Sequence, residues 1–158
     1  MEKFFMYMKE HGWNIKWKEK KECNLPEIVE NRYSNIDEKW FAFISHVEFV
    51  LSQDETTWFL CSNDYYTQDE DSFQWNEWER ISLESAEDDE EWQMEIQKFW
   101  DNYFPIVMSV KDGYSYYAMS MEDGSIVYGI EPEFEEYKIV ADSFCDFIEK
   151  ILRDEIHL

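Results

Sequence analysis

The chain has 158 residues, of which 37 are acidic and 14 basic, for a formal net charge of −23. Its length predicts one domain, and its 19% aromatic content predicts a packed core and excludes the disordered acidic class, whose members lack aromatic residues. The negative field repels nucleic acid and anionic membranes and attracts cationic partners, although acidity serves the solubility of an aromatic-rich protein equally well.

Cysteine usage and the amino terminus indicate a cellular compartment. Three widely spaced cysteines, Cys23, Cys61 and Cys145, form no CxxC pair, and their odd number argues against a disulfide framework. We expect all three to be core residues of a protein in the reducing cytoplasm. The first residues lack a long apolar stretch with a cleavage site, so no signal peptide is predicted. No apolar run approaches the ~18 residues of a membrane-spanning helix.

The first 33 residues predict two short helices that flank an extended segment. Apolar residues on adjoining faces predict a helix over 2–11, stopped by Gly12. Aromatic and polar residues alternate in the lysine-rich segment 13–24, which is typical of an edge strand. Pro26 suits the first turn of a helix over 26–33. Because acid surrounds the lysines, pairing with carboxylates explains them better than a nucleic-acid contact.

A helical stripe and a short strand are predicted next. Asp37 is a candidate N-cap for a helix with His46 and the apolar residues Trp40, Phe41, Ile44 and Val47. The histidine is interpreted as structural, because a lone histidine on such a helix is rarely catalytic. The apolar run 57–61 predicts a strand. The rest of the stretch 48–84 predicts no regular element.

The clearest helical pattern covers residues 86–103. Ser85 is a candidate N-cap, and five acidic residues at 87–91 place negative charge at the positive end of the helix dipole. The predicted buried stripe consists of Trp92, Ile96, Phe99, Trp100 and Tyr103. Pro105 prevents continuation of the helix.

A period of two residues replaces the helical period after Pro105. Three runs, PIVMSV, GYSYYAMSM and SIVYGI, are rich in β-branched and aromatic residues. They are separated by Asp112-Gly113 and Asp123-Gly124, and Asp-Gly is a strong hairpin signal because glycine accepts a positive φ. These runs therefore predict three antiparallel strands.

The carboxy-terminal part predicts an acidic loop over 131–136, a strand over 137–140 and a helix from about 143, capped by Asp142 or Ser143. The final helix has the apolar stripe Phe144, Phe147, Ile148, Ile151 and Leu152. Helices, then a sheet, then a helix indicate one α+β domain over 1–158. We expect an antiparallel or mixed sheet of about four to six strands with flanking helices.

Motifs for catalysis and cofactor binding are missing from the sequence. Four glycines leave no glycine-rich phosphate loop, and no G-x-S-x-G, HExxH or EF-hand pattern is present. His11, His46 and His157 are scattered without metal-ligand spacing. Carboxylates are so numerous that no pair stands out as a general acid and base. We therefore expect no enzyme activity, no cofactor and no metal, and a small carbohydrate-active enzyme is the least favoured alternative.

The order of several motifs resembles the SUKH superfamily, which includes bacterial immunity proteins and relatives of a fungal cell-wall regulator. In chain order the shared features are Leu25-Pro26, a helix with Trp40 and Phe43, Pro105-Ile106-Val107, Gly113 with Tyr116-Tyr117, Asp123-Gly124-Ser125-Ile126-Val127-Tyr128, and Ala141-Asp142-Ser143-Phe144 with Phe147-Ile148. The resemblance covers roughly 25–152 and is strongest over 105–152. The Asn-Gly turn that the family often has after its first helix is absent between Trp40 and Trp58.

The resemblance implies a SUKH-like α+β fold and a function as an antitoxin. Such an immunity protein binds a polymorphic toxin made by the same cell, and many of these toxins are nucleases. A nuclease needs a basic cleft for phosphate, which a strongly acidic protein is suited to occupy. The alternative is an intracellular regulatory or scaffold module that binds proteins, as for the fungal relatives. The oligomeric state is not predicted.

Two segments interleave carboxylates with aromatic rings and form the predicted partner-binding site. Aromatic anchors bury apolar area, while carboxylates steer and pair with a basic partner. The first segment supplies Asp69, Glu70, Asp71, Trp75, Glu77 and Trp78. The second supplies Glu131, Glu133, Phe134, Glu135 and Glu136. The alternative for each segment is a solvated acidic loop whose rings lie in the core.

Overall fold

A computed structural model describes residues 1–66 and 72–158. The helices are α1 (Glu2–Glu10), α2 (Glu27–Arg32), α3 (Glu38–Ile44), α4 (Glu77–Ser85), α5 (Glu90–Asn102) and α6 (Phe144–Leu152), with a 3-10 turn over Ser62–Tyr65. The strands are β1 (Asn14–Trp17), β2 (Val47–Leu51), β3 (Thr57–Phe59), β4 (Tyr103–Ser109), β5 (Ser115–Ser120), β6 (Ile126–Ile130) and β7 (Tyr137–Ala141). This arrangement confirms the predicted α+β class.

All seven strands belong to one antiparallel sheet in chain order, so that each strand pairs with the next. Both Asp-Gly hairpins are confirmed, with Gly113 at φ +105 and Gly124 at φ +76, a conformation that side chains disfavour. A meander without crossovers leaves β1 and β7 as the two edges of the sheet.

Helices cover both faces of the sheet. Tyr116 and Tyr117 are neighbours on β5 and point to opposite faces, because strand side chains alternate. The Tyr117 ring lies 5.0 Å from Phe147 of α6 on one face, which α1 and α3 also cover. The Tyr116 ring lies 4.9 Å from Trp100 of α5 on the other face. Every residue of β5 is buried as a result.

The structure differs from the sequence prediction at the end of α3. The helix ends at Ile44, and Ser45 and His46 follow it instead of continuing it. Val47 then begins β2, which lies between β1 and β3 and was not expected. Val47 and Val50 are fully buried. Val47 therefore lies in the core, as its place in the predicted helical stripe suggested, but it reaches the core from a strand.

The predicted helix over 86–103 is shorter, and a separate helix precedes it. Ser85 is the last residue of α4, and the chain turns over 86–89. The Asp89 carboxylate accepts a hydrogen bond from the Trp92 N–H at 3.0 Å, which makes Asp89 the N-cap of α5. At the other end, β4 begins directly after α5, before Pro105.

The cysteines are all free thiols, but only one of them is a core residue. Cys61 is buried, Cys23 is half-buried and Cys145 is exposed. Cys145 lies on the outer side of α6 because Phe144, Phe147 and the following apolar positions occupy the inner side.

A three-part ion pair joins α2 to α4 and α5. Arg32 donates two hydrogen bonds to Glu79, at 2.8 and 2.7 Å, and a third to Asp101 at 2.8 Å. The Glu79 side chain is 8% exposed and the Arg32 side chain 20%. The bidentate geometry satisfies both buried charges, and the bonds to Glu79 raise the pKa of Arg32 against the opposing effect of burial.

We predict that Glu79→Gln destabilises the protein by about 2 kcal/mol, because it leaves the partly buried Arg32 without its main countercharge. The matched control is Glu149→Gln, which removes the exposed Glu149–Arg153 pair and should cost less than about 0.5 kcal/mol. Urea unfolding followed by tryptophan fluorescence measures both. Equal losses in the two variants would contradict a special contribution of Glu79.

Candidate protein-binding surface

The first predicted segment is divided between undescribed residues and the core. Outside the described residues lie Asp69, Glu70 and Asp71. Trp75 and Trp78 are buried, and the Trp78 indole N–H donates to the Ser115 carbonyl oxygen at 3.1 Å. Glu77 is half-buried, and its carboxylate accepts hydrogen bonds within its own segment, one of them from Arg80 at 3.1 Å.

The second predicted segment meets the first through its ring. Phe134 is 2% exposed and stacks on Trp78, with centroids 5.5 Å apart and planes within 11°. Its carbonyl oxygen accepts a hydrogen bond from the Tyr116 hydroxyl at 2.5 Å. The expectation that Trp75, Trp78 and Phe134 are surface anchors is therefore corrected. Trp78 and Phe134 pack on each other beside β5, Trp75 packs against Tyr33 and Tyr65, and all three rings are buried.

The carboxylates of the second segment fall into two groups. Glu131 accepts a hydrogen bond from the Tyr114 N–H at 2.9 Å, and Glu135 accepts one from the Trp100 indole N–H at 2.9 Å. These two carboxylates fix the loop to β5 and α5. Glu131 is exposed all the same, and Glu135 is half-buried. Glu133 and Glu136 are exposed and, among the described residues, accept no such hydrogen bond, so they can reach a partner without breaking one.

Exposed apolar residues follow this loop directly, on β7. Tyr137 is 44% exposed and Ile139 is 61% exposed, and they share one face of the strand because they are two residues apart. That face lies beside α5, since the Tyr137 ring is 5.7 Å from Phe99. The sequence predicted a strand here but no function for it. Its position as the last strand of a meander was the signal that it would lack an outer neighbour.

The Tyr137 ring is held in place by a second tyrosine. The Tyr103 hydroxyl donates to the Tyr137 hydroxyl at 2.6 Å, and the two rings lie 4.9 Å apart. Phe99 stacks on Tyr103 at 4.5 Å. Phe99 and Tyr103 are half-buried, so they extend the apolar strip inward from the strand edge.

Carboxylates border this strip at both ends. The turn with Glu122 and Asp123 precedes β6, and Ile126 of β6 pairs with Ala141, so these carboxylates lie toward the carboxy-terminal end of β7. Burial, the hydrogen bond with Tyr137 and the charges of Asp123 and Glu122 raise the pKa of Tyr103. The Ser125 hydroxyl holds the pKa of Asp123 below its usual range, so this carboxylate is ionised at neutral pH. We call the combined set the β7 surface; it consists of Phe99, Tyr103, Tyr137, Ile139, Glu122, Asp123, Glu133 and Glu136.

The opposite edge of the sheet has a different charge character. Lys16 on β1 pairs with Glu48 at 2.8 Å. Lys18 donates to the Glu22 carbonyl oxygen at 2.8 Å and to the Ser62 hydroxyl at 2.5 Å. The segment is an edge strand as predicted, and the predicted pairing with a carboxylate is confirmed at Lys16, whereas Lys18 is held by uncharged oxygen atoms.

Three ionisable groups with shifted pKa values, Cys61, Asp64 and Tyr7, lie away from the β7 surface. Burial raises the pKa of the Cys61 thiol, which disfavours the thiolate nucleophile. Burial raises the pKa of Asp64 to about 6, and its carboxylate caps the 3-10 turn by accepting the Cys61 N–H at 2.7 Å. The Tyr7 hydroxyl donates a hydrogen bond to the Asp154 carboxylate, which raises the pKa of Tyr7 to about 12. Both residues line an open cavity of about 490 Å³ beside His11.

We predict that Phe134→Ala costs about 3 kcal/mol of stability, because it removes a buried ring and leaves a cavity against Trp78. The exposed Ile139→Ala should cost less than about 1 kcal/mol. Thermal and urea unfolding of both variants measure the difference. A small loss for Phe134→Ala would contradict its assignment to the core.

Comparisons of the chain with models of known protein families, with curated proteins and with solved structures found no match. Among the described residues, no helix has the length and apolar character needed to cross a bilayer. In the same part of the chain, no three His, Cys, Asp or Glu side chains are grouped as ligands for a metal ion.

Proposed function

We propose that this chain is an immunity protein of the SUKH type, an antitoxin that binds and neutralises a basic toxin, of the nuclease class, in the cytoplasm of the cell that makes both. The observation that carries the proposal is the β7 surface, where an exposed apolar strip is bordered at both ends by carboxylates. Free thiols, one of them exposed, agree with a reducing compartment.

The β7 surface has the composition that binding a basic protein requires. Tyr137 and Ile139 offer apolar area that a partner can bury, and such area supplies most of the binding free energy at protein interfaces. Glu133, Glu136 and Asp123 surround it with negative charge, which attracts a basic partner and raises its association rate. Single exposed apolar residues occur elsewhere in the chain, such as Ile28, but Tyr137 and Ile139 lie together beside Phe99 and Tyr103 and form one apolar patch, which solubility alone does not explain.

The net charge of the whole chain adds long-range attraction to this local arrangement. A charge of −23 produces a field that draws cationic surfaces from beyond contact distance. Toxins that act on nucleic acid carry a basic cleft, because they must bind phosphate. An acidic protein that covers this cleft excludes the substrate by charge and by contact, with no chemical step of its own.

The proposal expects the gene of a large toxin beside the gene of this protein, and the decisive test is co-expression with the carboxy-terminal domain of that toxin. We predict that cells producing both proteins grow, and that cells producing the toxin domain alone die. Death of cells that contain both proteins at comparable levels would contradict the immunity function and favour a regulatory or scaffold module.

The contribution of the β7 surface is tested by the double variant Glu133→Gln/Glu136→Gln. We predict that it binds the toxin domain about tenfold more weakly at low salt, mainly through slower association, and that this difference shrinks as salt screens the charges. The matched control, Glu149→Gln/Glu155→Gln, removes the same charge from exposed positions of α6 and its tail. Equal weakening by the two double variants would show that only total charge matters.

A further inference from the structure

The outer side of β7 is an open sheet edge with apolar side chains. In residues 1–66 and 72–158, β7 pairs with β6 on one side only. Natural proteins usually protect such edges with charges, bulges or covering elements, because an open edge pairs with other chains. Protection is local here: the Lys150 ammonium donates to the Val140 carbonyl oxygen at 2.9 Å. The stretch Tyr137–Ile139 is left exposed.

The other edge of the sheet is protected in the usual way. β1 has an irregular register between Lys16 and Trp17, and Lys16 is paired with Glu48. The Trp17 ring packs edge-on against Phe5 at 4.7 Å, with the Lys9 ammonium 5.2 Å from its centre. An irregular, lysine-bearing edge discourages strand addition. β7 has a register shift of its own, between Ile139 and Ala141, and one lysine, Lys138, but the register is regular over Tyr137–Ile139 and the Lys138 ammonium lies over the Tyr128 ring on the opposite face.

We propose that β7 takes up an extended segment of a basic partner protein as an eighth strand of the sheet. This inference rests on the proposed function and adds how the partner is held. Backbone hydrogen bonds along Tyr137–Ile139 supply affinity, and alternate side chains of the added segment supply specificity. The partner segment is an extended stretch in which lysine or arginine alternates with apolar residues.

The alternation follows from the side chains of the strand itself. Residues of the partner segment on the face of Tyr137 and Ile139 form cross-strand pairs with them, and apolar residues make these pairs favourable. Beyond the ends of the strip, the segment meets Glu133 and Glu136 on one side and Glu122 and Asp123 on the other. Lysine or arginine at those positions neutralises the carboxylates.

Charge also decides between a basic partner and a second copy of this chain. Pairing β7 with the β7 of another copy would bring together two chains of charge −23 and two loops with exposed glutamates. Like charges placed opposite each other destabilise strand pairs. The Lys138 ammonium does not offset this, since it lies 5.2 Å from the centre of the Tyr128 ring, on the face away from the strip.

The test uses a synthetic probe, a peptide of about eight residues in which lysine and valine alternate. Its control has the same sequence with every backbone amide N-methylated, which keeps charge and side chains but removes the donors for strand pairing. Two protein variants accompany the wild type. Ile139→Lys and Met94→Lys introduce the same charge at residues of equal exposure, 61% and 62%, on β7 and on the outer side of α5.

We expect the unmethylated peptide to bind the wild type at least about tenfold more tightly than the methylated one, because several backbone hydrogen bonds are lost. Ile139→Lys should weaken binding by at least about tenfold and Met94→Lys by less than about twofold. Amide hydrogen exchange of the full chain should slow at 137–139 when the peptide binds. Circular dichroism checks that both variants stay folded.

Three results would overturn the inference. Equal binding of the two peptides would show that charge alone holds them. Equal weakening by Ile139→Lys and Met94→Lys would place the contact elsewhere. A dimer in sedimentation that Ile139→Lys dissociates would make a second copy the occupant. The co-expression test is independent of the peptide test. If the protein protects cells from the toxin but does not bind the peptide, strand addition is wrong and the immunity function stands. If it binds the peptide but does not protect cells, the immunity function is wrong and strand addition stands.

Discussion

The Tyr116 ring lies across Gly129, the residue opposite it on the neighbouring strand, and the position of the acidic loop depends on this contact. A β-carbon at residue 129 would overlap with the ring, so glycine is required for the ring to lie flat on β6. In that position the Tyr116 hydroxyl reaches the Phe134 carbonyl oxygen at 2.5 Å, and the ring packs on Trp100. Trp100 in turn holds Glu135, which leads into β7.

The same contact explains why this protein can expose charge and apolar area side by side. Phe134 is buried under the loop and stacks on Trp78, so the loop is anchored from inside. Its outer carboxylates then need no internal partner and point to solvent next to Tyr137 and Ile139. A loop held only by its charges would repel itself and move away from the strand, since four of its six residues are glutamates. A buried ring and two internal hydrogen bonds offset that repulsion.

Local sequence predicted the elements whose signals are local. The Asp-Gly turns predicted hairpins because they need a positive φ, and both hairpins are present. The predicted cap of α6 is also confirmed, since the Ser143 hydroxyl accepts a hydrogen bond from the Asp146 N–H at 3.1 Å. β2 was missed because Val47 also fits the period of α3, and the end of that helix was set by strand pairing, which is not local. The fold class followed from the order of the elements.

Of the residues in the candidate surface, the sequence predicted carboxylates but not the exposed apolar residues. Glu133 and Glu136 are exposed as expected, whereas the rings of the same segments are buried and the exposed apolar residues come from β7. The sequence says that Phe134 and Tyr137 are both aromatic, but the side that each faces depends on Trp78 and Phe99, which are distant in the chain. Burial of a ring is a property of the packed pair and cannot be read from either residue alone.

The central proposal, that a basic protein is held at the acid-bordered edge of β7, is tested most directly by hydrogen exchange of this protein alone and in complex with the toxin domain that the proposed function expects beside its gene. The account predicts slower exchange over residues 133–141 in the complex, with exchange in β1 unchanged. Protection confined to β1, or to the cavity beside Tyr7 and His11, with β7 exchanging as in the protein alone, would contradict it.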